Sequence, residues 1–335
     1  MRTIIAIFIV LLFSADPVIA QSVNAGTSGA QFLKINAGAR AEALGGAYVG
    51  LADDASAVFW NPAGIAWVDR NSATFTNIQW WTGIDINQFG GAVTVDRLGT
   101  FGISVINLSV PEQEITTVEE PDGTGRFFDA TDLMIGVTYA RRLLAEFSVG
   151  ITAKYVHQRI WNQSAQTIAF DIGTQYRFGF RNLTLGMTVH NFGPDMMYGG
   201  RDLEDFAAED PDFPGSRRPL TQLRTLDFPL PLNFQVGLAI DAVHSDYFRW
   251  IVTTDLKNPS DNYEQISFGS EFQLNTELAG ASVRGGYTVN NPDQKWAVGA
   301  GIRASVSGTT FMVDYSYSEH EYLSGIQRIT FGVNF

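Results

Sequence analysis

Apolar residues alternate with small or polar ones along most of the chain from about residue 72 to its end. In Phe311–Ser318 every second residue is aromatic or β-branched, and the residues between them are mostly polar. Trp296–Val306 and the final stretch from Arg328 to Phe335 follow the same rule. A period of two residues predicts β-strands whose two faces meet different environments.

Fourteen segments of this kind can be counted, and most reach the roughly 9–11 residues that a tilted transmembrane strand needs. The second segment is the shortest and the most marginal. The predicted strands cover residues 72–82, 88–95, 99–109, 131–140, 147–158, 166–178, 182–192, 231–241, 247–257, 263–274, 280–290, 295–306, 309–318 and 325–335.

The composition of the two faces decides between a soluble sandwich and a membrane barrel. One face is large and apolar in strand after strand, whereas the other is rich in Gly, Ser and Thr. A membrane barrel has this arrangement, because its outer face contacts lipid and its inner face contacts water or a plug. We therefore predict an all-β fold, a transmembrane antiparallel β-barrel of about 14 strands, over residues 72–335. Its inner face carries single charges at Lys154, Asp171, Arg177, Arg249, Asp255, Glu271, Arg284, Arg303 and Asp314.

The connections between the predicted strands differ in length. Most are short turns, whereas Val110–Ala130 and Gly193–Leu230 are long. Short turns at one end and long loops at the other are typical of outer-membrane barrels, and an even strand number puts both chain ends in the periplasm. We expect the outer membrane of a diderm bacterium, with lipid and lipopolysaccharide as neighbours.

The first twenty residues read as a secretory signal peptide. Arg2 supplies the positive start, Ile4–Phe13 is apolar, and Val18–Ala20 is a small-residue cleavage site. The alternative is a membrane anchor, but the apolar run is shorter than the roughly 20 residues that a spanning helix needs. We predict export and cleavage after residue 20.

Composition narrows the chemistry of the 335-residue chain. Its net charge of −13 disfavours nucleic acid as a partner, because phosphate binding needs a basic face. The absence of Cys excludes disulfides and thiolate metal sites. The four His lie in separate segments and no phosphate-binding or nucleophile motif occurs, so we predict no cofactor, no metal site and no enzyme. The acidic stretch Glu204–Asp212 fits a solvated or lipopolysaccharide-bridging surface better than a calcium loop.

Residues 21–71 do not alternate and are dense in Ala and Gly. Asp53 and Asp54 can cap a short helix that runs through Phe59. Asn61 precedes Pro62, so the helix should stop there. We predict a hatch that folds inside the barrel, because small residues pack tightly in a confined space. The alternative is a periplasmic arm outside the barrel.

This segment also carries a family resemblance, in the stretch AQFLKINAGARAEALGGAYVGLADDASAVFWNPAG. It resembles the PorV/PorQ family of outer-membrane proteins and, more distantly, the FadL family of fatty-acid transporters. The resemblance implies a FadL-like barrel of fourteen strands with an N-terminal hatch. The residues that match the motif are Gly38, Arg40, Gly45, Gly46, Asp53, Asp54, Asn61, Pro62 and Gly64.

The two resemblances imply different functions. Members of the PorV type belong to the type IX secretion system and receive exported cargo, whereas FadL-type proteins take up hydrophobic small molecules. The polar inner face favours a closed barrel that binds type IX components or cargo through its loops over an apolar conduit. Uptake of a hydrophobic ligand such as a long-chain fatty acid stays the alternative.

Two further groups of residues are candidates for contacts with partners. The long loop between the seventh and eighth strands mixes apolar side chains with arginines, which suits either partner docking or a lid that packs on itself. The last strand ends on Phe, like the signal that the barrel-assembly machinery reads. The loop candidates are Met196, Met197, Tyr198, Phe206, Phe213, Arg217 and Arg218, and the C-terminal candidates are Phe331, Val333 and Phe335.

Overall fold

The computed structural model describes residues 25–206, 219–276, 278–291, 293–321 and 324–335, without the side chains of residues 205 and 206. Within these ranges fourteen long strands form the fold. They are β1 (Ser72–Gln79), β2 (Asp85–Val95), β3 (Gly99–Glu114), β4 (Phe127–Arg142), β5 (Phe147–Ile160), β6 (Gln163–Arg177), β7 (Thr184–Phe192), β8 (Asn233–His244), β9 (Phe248–Pro259), β10 (Gln265–Asn275), β11 (Ala279–Val289), β12 (Gln294–Val306), β13 (Thr309–His320) and β14 (Ile326–Asn334).

Each strand pairs antiparallel with the strands before and after it, and the first strand pairs with the last. In that closing pair Ser72 lies opposite Asn334, and Phe75 lies opposite Phe331. In the described ranges this closure leaves no unpaired edge in the barrel sheet, as a spanning sheet requires. The predicted closed antiparallel barrel of fourteen strands is confirmed.

Several strand bounds differ from those predicted. β3 and β4 continue past the predicted limits, and Glu114 pairs with Phe127 in a protruding hairpin. Neither face of this extension meets an apolar environment, so its residues do not alternate and periodicity does not reveal it. At the first hairpin, β1 ends at Gln79, and a 3-10 turn at Trp81–Gly83 replaces the predicted end of the strand.

The two faces of the wall differ as the alternation predicts. Large apolar side chains point outward, for example Val283 and Ile302, which are 59% and 65% exposed. The side chains between them point inward, and Glu271 and Asp171 are fully buried there. The apolar face is thus turned away from the lumen on all sides.

The two ends of the barrel are unlike. At the short-turn end the connections are brief, for example residues 96–98 and residues 307–308. At the same end the Phe335 amide donates to the Asn71 carbonyl. The long-loop end carries residues 115–126 and the connection from β7 to β8. In the described part of that connection are three short strands, at Gly199–Gly200, Glu204–Phe206 and Leu220–Gln222.

The N-terminal segment, residues 25–71, contains only short helices. They are a 3-10 turn at Gln31–Lys34, α1 at Ala39–Ala43, α2 at Ala57–Trp60 and a 3-10 helix at Pro62–Trp67. No helix in the described ranges has the length and apolar character needed to cross a membrane.

Helix α2 stops directly before Asn61, whose extended backbone (φ −153°) precedes Pro62 as predicted. The predicted cap is different. Asp54 accepts the Ser56 amide at 2.8 Å, ahead of the helix, and no side chain caps the first turn.

The N-terminal segment touches strands on opposite sides of the ring. Helix α1 packs on β11–β14, and the 3-10 helix Pro62–Trp67 packs on β3–β6. A chain that meets the inward face of strands on both sides of a closed ring lies within the ring. One of two inner hydrophobic clusters consists largely of this segment, including Leu44, Tyr48, Trp60 and Ile65. The other joins Phe32 of the segment to inward-facing strand residues such as Ile106 and Met134.

Candidate functional site in the lumen and at the outer mouth

Arg40 is the centre of an ion-pair network that joins the N-terminal segment to the barrel wall. Its guanidinium donates to Asp53 at 2.7 Å and to Asp54 at 3.1 Å, both within the segment. It also pairs with Glu271 of β10 at 3.0 Å, and Glu271 pairs in turn with Arg284 of β11 at 2.8 Å. The structure thus brings together three residues of the sequence motif and adds two from the wall.

The charges of this network are mutually stabilised. Burial opposes the charge on Arg40, but Asp53 and Glu271 outweigh it and hold the pKa of the guanidinium well above its usual value. Burial also opposes the charge on Asp54, but Arg40 and the hydrogen bond from Ser56 keep the pKa of that carboxyl below its usual value. Both groups are therefore ionised at neutral pH.

Glycines on the wall allow the N-terminal segment to lie against the strands. A Cβ at Gly186 would be 2.3 Å from the Val49 carbonyl oxygen, and one at Gly150 would be 2.4 Å from the backbone of Pro62. Gly45 has φ +68° and faces β11, where the Gly286 position leaves room only for hydrogen. The glycine-rich inner face is thus the surface on which the segment packs.

Asn61 links the segment to itself and to the wall. Its amide donates to the Val49 carbonyl and to the Thr174 carbonyl of β6, each at 3.1 Å. Its side-chain oxygen accepts the Ala63 amide and caps the 3-10 helix that begins at Pro62. Gly64 lies so close to Ala52 that a Cβ would be 2.5 Å from its carbonyl oxygen.

Two other ion pairs in the lumen were not predicted. Arg328 of β14 pairs with Glu42 of α1 at 2.9 Å. Lys154 pairs with Asp171 at 2.6 Å, and Asp171 also contacts the His190 ring at 3.0 Å. The alternation of residues identifies Lys154 and Asp171 as inward-facing charges, but it does not identify the partner of either.

The first described residues lie at the long-loop end, where fewer contacts hold them. Asp261, in the turn between β9 and β10, accepts from Ser28, from Gln31 at 3.1 Å and from Lys34 at 3.1 Å. Burial opposes the charge, but these hydrogen bonds keep the pKa of Asp261 below its usual value. One acidic side chain thus holds the outer part of the segment.

The candidate residues of the long loop do not form one exposed surface. Met196 is buried and exchanges two backbone hydrogen bonds with Phe228, at 2.8 and 2.9 Å. Tyr198 packs on the Phe228 ring, and the Gly29 amide donates to the Pro229 carbonyl.

Met197 is 44% exposed. The contacts of Met196, Tyr198 and Pro229 show that this part of the loop folds over the outer mouth and contacts the N-terminal segment. The remaining candidates lie outside what the structure describes, namely the side chain of Phe206 and residues Phe213, Arg217 and Arg218.

The acidic stretch is described only at its start, where Glu204–Phe206 pairs with Leu220–Gln222. Across the described ranges no three His, Cys, Asp or Glu side chains are grouped to hold a metal ion. The predicted signal peptide, residues 1–20, also lies outside the described residues.

The C-terminal candidates lie on the seam of the barrel. Phe331 is 54% exposed and pairs with Phe75 of β1 on one side and Val313 of β13 on the other. Val333 and Phe335 follow on the same outward face. Phe331 and Phe335 thus present their rings on the outside of the closing strand, at the short-turn end.

Comparison with known families decides the assignment. Residues 19–210, more than half of the chain, match the family model described as type IX secretion system protein PorV. The chain belongs to the PorV family. This family is one of secretion components rather than enzymes, and a β-barrel that belongs to it is a protein of the outer membrane.

Solved structures show the same fold for this PorV-family chain. The Pseudomonas putida toluene transporter TodX has a TM-score of 0.55 at 12% identity, covering 89% of this chain and 96% of its own. The CymD monoaromatic hydrocarbon channel scores 0.55 at 10% identity, covering 90% and 98%. A Pseudomonas aeruginosa FadL homologue scores 0.50 at 11% identity, covering 88% and 96%. No curated protein sequence matches the chain.

Proposed function

We propose that this PorV-family barrel is a docking component of type IX secretion, which holds exported cargo at its extracellular loops while the N-terminal segment keeps the lumen closed. The observation that carries the proposal is the family match over residues 19–210. The filled, ion-paired lumen supports it, because a docking protein has no need of an open path.

The N-terminal segment acts in this proposal as a hatch, defined as residues 21–71, of which residues 25–71 are described. Its support is the Arg40 network and the close approach of the segment to wall glycines on several strands. Separating the segment from the wall would leave buried charges without their partners, which is unfavourable by several kcal/mol. The hatch therefore stays in place during docking.

The docking surface lies on the long loop. Its described part exposes Leu220 (60%), Leu223 (64%) and Leu226 (87%) to solvent. Exposed apolar side chains grouped near arginines are typical of protein interfaces. A folded cargo domain could cover these leucines without entering the lumen.

A binding experiment tests the docking surface directly. The full barrel in detergent is immobilised, and binding of a purified C-terminal sorting domain of exported cargo is measured by interferometry. We expect the triple variant L220D/L223D/L226D to bind at least about tenfold more weakly, because charge replaces buried apolar contact.

The matched control is Val118→Asp, since Val118 is 94% exposed on the other long loop. It should bind as the wild type does. Equal affinity of the triple variant and the wild type would refute the proposed surface, and absence of any cargo binding by the wild type would refute docking itself.

Uptake of hydrophobic molecules is the second candidate, supported by two observations. The fold is similar to that of the TodX and CymD channels. A cavity beside the N-terminal segment also has an apolar wall at Leu33, Ile35, Phe59, Ile106 and Met134. The segment supplies Leu33, Ile35 and Phe59 to this wall, and strands β3 and β4 supply Ile106 and Met134.

Native mass spectrometry of the detergent-extracted barrel separates the two candidates. A co-purified long-chain fatty acid would favour uptake, and a bound secreted polypeptide would favour docking. The remaining parts of the proposal are cleavage after residue 20, periplasmic chain ends, contact with lipopolysaccharide, and recognition of the closing strand by the barrel-assembly machinery.

A further inference from the structure

We infer that a polar cavity at the outer end of the lumen binds a small hydrophilic anion, a carboxylate or phosphate group, with Lys257 as its main charge. The cavity lies between the N-terminal segment and the inner faces of β8–β14. Its rim at the long-loop end includes Asn262, Asn291 and Asp293. The inference is independent of cargo docking and adds a ligand site to the barrel.

Three side chains form a row across neighbouring strands on the wall of this cavity. Lys257 of β9 lies directly opposite Gln235 of β8 on one side and Gln265 of β10 on the other. All three line the cavity. An ammonium flanked by two amides offers several hydrogen-bond donors to one ligand.

Several polar groups of the cavity have no partner. Lys257 makes no hydrogen bond or ion pair within the described ranges, and the Gln235 side-chain oxygen is unpartnered although that residue is only 5% exposed. The Nε of Arg328, which lines the same cavity, is also unpartnered. A flip of the side-chain amide exchanges its oxygen and its NH2 group, so Gln235 can donate as well as accept.

No carboxylate around the cavity pairs with Lys257 in the described ranges, although the Oδ1 of Asp255 is itself without a partner. Asp255 accepts the backbone amides of Tyr48 and Val49, at 2.9 and 2.8 Å. Asp261 is occupied by the outer part of the N-terminal segment, and Glu42 is paired with Arg328. Asp293 is exposed on the rim. Lys257 is thus a lumenal cation without a direct ion pair in the described ranges, and an anion from solution can supply one.

The chemistry of the walls selects a hydrophilic ligand. Amide and hydroxyl side chains surround Lys257, including Asn36, Ser267, Thr288 and Gln294. Asn36 already donates to Glu42, and Ser267 and Thr288 bond to each other. The unpartnered amide of Gln235 suits the oxygens of a carboxylate or a phosphate, whereas an alkyl chain would leave it unpaired. The site therefore recognises the charged group rather than an apolar tail.

The experiment measures ligand-induced stabilisation of the full barrel in detergent. Inorganic phosphate and acetate are each compared with chloride at equal ionic strength, and the unfolding midpoint is recorded for each salt. A ligand that binds only the folded state raises that midpoint. We expect phosphate or acetate to raise it by about 2–4 °C in the wild type and to have no effect in Lys257→Gln.

The matched control is Lys295→Gln, which removes a lysine that pairs with Glu321 at 2.6 Å on the outer surface. This variant should keep the full stabilisation. An equal shift in Lys257→Gln, or no shift in the wild type, would overturn the inference. Decanoate stabilising the wild type while phosphate and acetate do not would also overturn it, in favour of an apolar ligand.

Discussion

The N-terminal segment consists of two parts that the barrel holds in different ways. The inner part, Gly38–Val68, is almost wholly buried and bonds to strands around the ring, through Arg40 and Asn61 among others. The outer part, residues 25–36, begins exposed and depends on Asp261, on Gln158 and on one backbone bond to the long loop. A charge network and close backbone packing fix the first part, whereas a few hydrogen bonds and the packing of the buried Phe32 against the wall hold the second.

This difference shows where movement is least costly. Freeing the outer part breaks a few hydrogen bonds, each worth about 1 kcal/mol net, and exposes Phe32, which adds about 1.5–3 kcal/mol. Freeing the inner part separates the buried Arg40–Glu271 and Arg328–Glu42 pairs and uncovers a larger buried core, which is more unfavourable. Any response to a ligand or a partner at the mouth should therefore begin in residues 25–36.

Removing both parts gives the largest expected effect. Deletion of residues 26–66 with the signal retained should leave a closed barrel, because every strand and the seam are preserved, but the lumen would be empty. We expect a large rise in solute permeability in a liposome-swelling assay, with wild-type protein as the control. Swelling no faster than that of the wild type would show that the segment does not obstruct the lumen.

Breaking the inner part at its charge network should cause the next largest effect. Glu271→Ala leaves Arg40 and Arg284 buried beside each other without their shared carboxylate, which should lower the free energy of unfolding by about 3–5 kcal/mol. Denaturant unfolding in detergent measures the loss. Glu264→Ala, at an exposed position on the same wall, should change it by less than about 0.5 kcal/mol. Similar values for both variants would contradict the role of the network.

Filling the space between the segment and the wall should have an intermediate effect. Gly186→Ala places a Cβ against the Val49 carbonyl and should lower the free energy of unfolding by about 1–3 kcal/mol. Gly285→Ala is the matched control, since nothing lies within 4 Å of a Cβ there. The control should be neutral or slightly stabilising in the same denaturant experiment. A neutral Gly186→Ala would mean that the segment does not pack as closely as described.

Loosening the outer part alone should have the smallest effect. Asp261→Asn weakens the contacts to Ser28, Gln31 and Lys34, so amide exchange should speed up in residues 28–35 and stay unchanged in α1. Asp246→Asn, exposed at the short-turn end, is the control and should alter neither region. Faster exchange in α1 as well would show that the two parts open together.

The pH dependence of the same contacts follows from the lowered pKa of Asp261. Their stabilising contribution is complete above the unfolded-state pKa of about 3.9 and is lost as pH falls through the lower pKa of the folded state. Exchange rates of wild type and Asp261→Asn should therefore differ at neutral pH and converge in strong acid. A difference that persists in strong acid would assign the effect to something other than this carboxylate.

The sequence predicted the barrel well because lipid contact imposes a period of two on each strand, with the strand number following by count. The sequence did not predict the extension of β3 and β4, because the two faces of that extension do not differ in polarity. Inside the barrel, the Arg40 and Asp53 positions were readable from a local motif, but Glu271 lies 231 residues beyond Arg40 and only the closed fold joins them. The sequence predicts Met196 as a loop contact residue, but the residue is buried, because its direction depends on how the long loop folds.

The seam between β1 and β14 sets an order for assembly. Ser72 meets Asn334 only when the last residues of the chain have arrived, so the cylinder cannot be completed from any shorter product. The bond from Arg40 to Glu271 and the bond from Glu42 to Arg328 need wall strands made late in synthesis. Arg40 and Glu42 therefore have no wall partners until the later strands are present, and a barrel without β14 would keep two unpaired strand edges.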